Sequence, residues 1–150
     1  MSKMIGYMVT WTTYGSWLQG DKRGYVKHGK IMSGDQKILL ANRRLLKSPA
    51  VQLDSEHRAI VYQAILDEAK RIGHTIEALT VCSNHVHLVA RPCQESVQEI
   101  VSRYKNVAMF ALHKQGQVGR IWTHGFDKRF CFNQENLNRR IEYVNHHKSD

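Results

Sequence analysis

The stretch Thr80-Val81-Cys82-Ser83-Asn84-His85-Val86-His87-Leu88-Val89-Ala90 decides how the chain is read. Its β-branched and apolar residues read as strand, interrupted by Ser83-Asn84, a pair suited to a tight turn. Side chains of a strand alternate faces, so His85, His87 and Val89 point one way and Val86, Leu88 and Ala90 the other. One face is apolar and suits a core. The other puts two imidazoles within reach of a single metal ion. Two neutral imidazoles leave a catalytic site incomplete, because such a site usually takes three protein ligands and keeps a position open. The rest of the chain has to supply a third ligand and a reactive group.

Working outward, His74 to Cys82 reads as a strand that pairs with the histidine strand as a hairpin, and Pro92 stops the second strand. Before the hairpin, Asp54 or Ser55 can cap a helix. Its apolar positions Ile60, Val61, Ala64, Ile65, Ala69 and Ile72 recur at three and four, and it ends at Gly73. After the hairpin, Ser96-Val97-Gln98-Glu99 is a capping box. The helix it opens carries Val97, Ile100, Val101, Tyr104, Ala108, Ala111 and Leu112 on one stripe before Gly116, so Tyr104 reads as core. Residues 128 to 132 look like a last short strand, and Asn133 caps a final helix running to about His147. Residues 4 to 12, aromatic and β-branched, read as the first strand. The resulting order predicts an α+β fold, a ferredoxin-like β-α-β-β-α-β antiparallel sheet with an added C-terminal helix.

Residues 13 to 54 are left as a long connection, punctuated by Gly29, Gly34 and Pro49, with a short helical pattern from Ile38 to Leu46. A connection of that length inside a compact domain is usually functional or mobile. Its mixture of Trp11, Tyr14, Trp17, Lys22, Arg23, Tyr25 and Lys27 suits stacking on unpaired bases beside a phosphate track, and equally suits two tryptophans anchoring a loop on the core.

The 150 residues fit one domain with this insertion, long enough to bury a core without disulfides. Cys82, Cys93 and Cys131 are odd in number and lack paired spacing, which fits a reducing cytoplasm. Nothing approaches the apolar length of a membrane span, and Met1 to Gly6 holds no signal-peptide core. The formal charge is +9. It divides as +1 over residues 1 to 20, +6 over 21 to 50, −3 over 51 to 100 and +5 over 101 to 150. That imbalance points to a polyanionic partner, since each neutralised phosphate releases counterions.

The partner of the two histidines is sought in the final helix. Leu137, Ile141 and Val144 share one sector at about 100° per residue and should be buried. Arg140, Tyr143 and His147 form a second stripe beside it, with Tyr143 and His147 four residues apart. Helical arithmetic clusters these three; it does not say which way they face.

Asn84-His85-Val86-His87 resembles the HUH motif (His, hydrophobic, His) of the single-tyrosine transposases, a family that includes insertion-sequence and REP-associated tyrosine transposases. Arg139-Arg140-Ile141-Glu142-Tyr143-Val144 is similar to the helix that carries their nucleophile, and Thr10 to Leu18 looks like the opening of one branch. The resemblance implies a metal-dependent transposase or endonuclease that cuts and rejoins single-stranded or hairpin DNA through a 5′-phosphotyrosine. It implies Tyr143 as nucleophile and His85, His87 and His147 as ligands of Mg²⁺ or Mn²⁺, with His146 the fallback third ligand. Lys22, Arg23, Lys105, Arg129 and Arg140 are the expected DNA contacts, and a homodimer is a further expectation. Zinc suits phosphate oxygens and waters less well than a hard ion. Cys82 and Cys93 bracket the histidines, but their spacing matches no familiar zinc knuckle. Two other readings stay open at this point. One is a domesticated ferredoxin-like nucleic-acid-binding protein that no longer cuts. The other is a phosphoesterase built on two His-x-Thr repeats, disfavoured because no His-x-Thr occurs.

Overall fold

A computed structural model describes residues 3–16 and 50–147, together with the backbone of 25–27 and 30–32. The elements in order are β1 (Gly6–Thr12), β2 (Tyr25–Lys27), β3 (Lys30–Met32), α1 (Ser55–Ile72), β4 (Ile76–Val81), β5 (His85–Ala90), α2 (Val97–Lys114), β6 (Asp127–Cys131) and α3 (Gln134–Asn145). Four strands form one sheet in the order β4-β5-β1-β6, every neighbouring pair antiparallel. Without the small β2-β3 hairpin this is the expected β-α-β-β-α-β plan with a helix added. The hairpin is a difference: Tyr25-Val26-Lys27 and Lys30-Ile31-Met32 pair within the stretch read as loop. Three residues per strand are too few for a period of two to show. The helical pattern from Ile38 to Leu46, and Lys22 and Arg23, lie outside the described residues.

The helix ends form where the sequence signals stand. Asp54 Oδ1 accepts from His57 N at 2.8 Å to start α1, and Gly73, at φ 70°, closes it in the left-handed region that costs glycine little. Ser96 and Glu99 complete a reciprocal capping box on α2, and Asn133 Oδ1 accepts from Asn136 N to start α3.

The sheet is covered on both faces. On one, α1 and α2 bury Val61, Ile65, Ile100, Tyr104 and Leu112 against Tyr7, Val9, Trp11, Val86, Leu88 and Ala90. Tyr104, expected in the core, is buried, and its hydroxyl meets His74 Nδ1 at 2.6 Å. On the other face, among the described residues, α3 lies alone, burying Leu137 and Val144 against Met8, Ala78, Val89 and Cys131. Two features seat α3. A Cβ on Gly6 would lie 2.6 Å from Leu137 Cδ1, so the bare backbone there admits the helix. Near its C-terminal end, Thr80 Oγ1 donates to Val144 O at 2.8 Å.

The long connection leaves and returns at one point. Val51 N donates to Tyr14 O at 2.8 Å, and Thr13 Oγ1 donates to Val51 O at 2.7 Å. The same two segments grip the β4-β5 turn, with Thr13 N bonded to Asn84 O and Leu53 N to Ser83 O. Among the described residues, no helix is long and apolar enough to cross a membrane.

Candidate active site

Register decides what surrounds the histidines. Thr10 stands opposite both His87 on β5 and Asp127 on β6, while Thr80 on β4 stands opposite His87 from the other side. Opposed residues of an antiparallel sheet share a face, so Asp127, Thr10, His87 and Thr80 form one row on the face that α3 covers. His85 continues that face one step toward the turn.

The C-terminal end of α3 brings the remaining groups. His147 lies past the last helical residue, held by a turn in which His147 N bonds Val144 O at 3.2 Å. The helix is two residues shorter than expected, yet His147 Nε2 reaches 3.1 Å from His85 Nε2. The His87 ring centroid is 4.5 Å from that of His147 and 4.7 Å from that of His85. The Tyr143 ring, 50% exposed, stands with its centroid 5.6 Å from His87 and 5.5 Å from His147. Three imidazoles and the phenol thus meet within a single chain. His146 does not join them: its Nδ1 turns back to Glu142 O at 2.9 Å.

The polar partners fix ring orientation. His87 Nδ1 meets Thr10 Oγ1 at 2.8 Å, and His85 Nδ1 meets Asn84 Oδ1 at 2.6 Å. Each bond occupies the nitrogen nearer the backbone. Burial pushes the His87 imidazole down to about 4, and the neighbouring His85 and His147 rings push the same way. At neutral pH it is an uncharged imidazole.

Two nitrogens about 2.1 Å from one cation stand roughly 3.0 to 3.4 Å apart, depending on the bond angle. The separation of His85 Nε2 and His147 Nε2 falls in that window, so these residues fit a divalent ion. Cys82 joins the same cluster, its sulfur and the nearest nitrogens of His85 and His147 all lying within 4.8 Å of one another.

The basic residues divide. Arg140, on α3, lines a groove with Phe130, Asn136, Arg139 and Tyr143. Arg129 stands opposite Met8, hence on the histidine face, paired with Asp127 at 3.1 Å. Lys105 is on α2, across the sheet from the histidines. Its ammonium donates to Thr123 O and Gly125 O at 3.0 and 2.7 Å, and burial lowers its pKa. Sequence reasoning missed Thr10 and Thr80 as supports, because their roles depend on strand register and helix docking that no local signal records.

A family model described as "Transposase IS200 like" matches residues 46–147. No curated protein matches the chain. Among solved structures, a REP-associated tyrosine transposase bound to a REP hairpin is similar over 96% of this chain and 67% of its own, at 13% identity and a TM-score of 0.53. A candidate transposase from Deinococcus radiodurans R1 is similar over 100% of this chain and 95% of its own, at 12% identity and a TM-score of 0.50. At such identities the likeness is one of fold, and it agrees with the antiparallel sheet and its added C-terminal helix. With two thirds of the residues inside the matched region, among them both histidines of β5, Tyr143 and His147, the chain belongs to the IS200-like transposase family.

Proposed function

We propose that this transposase cuts and rejoins single-stranded or hairpin DNA through a 5′-phosphotyrosine on Tyr143, with a hard divalent cation, Mg²⁺ or Mn²⁺, held by His85, His87 and His147. The observation that carries the reading is the convergence of one half-exposed phenol with three imidazoles in one chain. The ion, when bound, supplies Lewis-acid polarisation of the scissile phosphate and a template for it.

The chain's own residues do the rest. Tyr143 Oη attacks phosphorus in line, forming the Tyr–O–P bond as the P–O3′ bond breaks. The phenol proton leaves, and the departing 3′ oxygen takes one up. A later 3′-hydroxyl reverses the step, so rejoining requires no nucleotide cofactor. Thr10 keeps His87 in one orientation, and Arg140 and Arg129 offer guanidinium groups to the DNA backbone on the tyrosine side. The closeness of Tyr143 to the histidines of its own chain supports action in cis.

The test is incubation with hairpin oligonucleotides and Mn²⁺ followed by denaturing gels. An adduct that survives detergent in the wild type and vanishes in Tyr143→Phe is expected. Equal adduct in that variant would move the nucleophile elsewhere. Hairpin binding without any adduct in either protein would favour the reading of a domesticated binding protein.

A further inference from the structure

The hairpin that carries the histidines also carries a thiol on the same face. Cys82 N donates to His85 O at 2.8 Å, closing a turn with only Ser83 and Asn84 between. Cys82 and His85 are therefore opposed residues, and their side chains leave the sheet on one side. The Cys82 side chain is 0% exposed and in no disulfide. Its sulfur, one nitrogen of His85 and one of His147 lie within 4.8 Å of one another. The turn is pinned from outside by Thr13 and Leu53.

We propose that Cys82, His85 and His147 form a second, thiolate-containing metal site specific for Zn²⁺, and that zinc there holds the transposase off by taking two of the imidazoles from the hard cation. A thiolate donor selects zinc over Mg²⁺ or Mn²⁺. Three protein donors with one open position is a common zinc pattern. A sulfur at about 2.3 Å and a nitrogen at about 2.05 Å from a tetrahedral ion stand roughly 3.6 Å apart, and the present atoms lie within 4.8 Å of one another, so the group closes by about 1 Å at most. His147 can supply that movement, because it rides on a turn beyond α3 rather than on the helix. His87 stays behind, its Nδ1 bonded to Thr10 on the neighbouring strand. On binding, the thiol proton passes to solvent as the metal–sulfur bond forms. The zinc-binding half stands by itself. The inhibitory half rests on the proposed roles of His85 and His147.

The experiment uses Co²⁺ as a spectroscopic stand-in for zinc on the full chain. One equivalent should give the near-ultraviolet sulfur-to-cobalt charge-transfer band and be displaced by one equivalent of Zn²⁺. Cys82→Ser should lose the band and bind zinc at least about tenfold more weakly. Cys93→Ser, which alters an exposed thiol outside the cluster, should match the wild type. No band in the wild type, or a band that survives Cys82→Ser, overturns the proposal. X-ray absorption at the zinc edge of the wild type needs no variant: one sulfur near about 2.3 Å supports the site, and a shell of nitrogen and oxygen alone refutes it. Zinc titrated against the Mn²⁺ adduct reaction then reads the inhibitory half. Suppression at one equivalent supports it, and full adduct at saturating zinc refutes it. If Mn²⁺ alone yields no adduct, the proposed function fails while the spectra still decide the zinc site.

Discussion

Gly6→Ala is the sharpest probe of how α3 is seated. The added Cβ would stand 2.6 Å from Leu137 Cδ1 and 3.3 Å from Cδ2, with Ala90 O at 3.2 Å on the sheet side. A carbon pair rests at about 3.5 to 4.0 Å, so Leu137 has to retreat by roughly 1 Å. The carbonyl of a central strand does not yield, and Leu137 is 0% exposed, so the displacement passes to the helix. Overpacking of this kind costs about 1 to 3 kcal/mol. For a chain of this size that lowers Tm by roughly 2 to 12 °C. Because α3 and the turn after it carry Tyr143 and His147, a shift near 1 Å should also slow adduct formation on the order of 100-fold at temperatures where the variant is folded. Circular dichroism melts of Gly6→Ala, Leu137→Val and the double variant measure the first effect, and adduct kinetics the second. Trimming Leu137 makes room, so the double variant should be less destabilised than the sum of the singles, by at least about 0.5 kcal/mol. A Tm for Gly6→Ala within about 1 °C of the wild type, or strictly additive losses, would refute the reasoning.

Two further outcomes are expected. Thr10→Val removes the hydroxyl that orients His87, and Mn²⁺ affinity measured by electron paramagnetic resonance should fall about 10- to 100-fold, while Thr10→Ser retains it; equal affinity in Thr10→Val would dismiss the orienting role. Glu68, 8% exposed, takes two bonds from Arg71 at 2.7 Å and one from Arg103 at 3.0 Å. The Arg71 contact, seconded by Arg103, draws its carboxyl down to about 2. A depressed carboxyl contributes stability above its ordinary value and loses it as pH falls toward 2. The stability gap between wild type and Glu68→Gln should therefore be full at pH 7 and close between about 4.5 and 2; a gap constant across that window would contradict it.

Much of the fold was legible because its signals are local. The capping box at Ser96, the αL glycine at position 73 and the three-four recurrence of apolar residues in α1 and α2 each act over a turn or two, and each stands where expected. The β2-β3 hairpin was not legible, since three residues per strand carry no period. At the site, the alternation of β5 and the stripe on α3 foretold which side chains group together. That they meet on one face of the sheet depends on docking held by Gly6 and Thr80, which only the assembled fold reveals. Lys105 shows the limit of charge counting, because its ammonium is engaged by two carbonyls.

The stitched ends of the long connection have a consequence for how such a chain can change. Because Tyr14 and Val51 are already joined by the main chain, everything between them hangs from a closed ring. Doubling the length of such an excursion adds only about 0.6 kcal/mol of closure entropy. The segment can be lengthened, trimmed or rewritten while the histidine turn, gripped from the fixed side of the ring, keeps its shape.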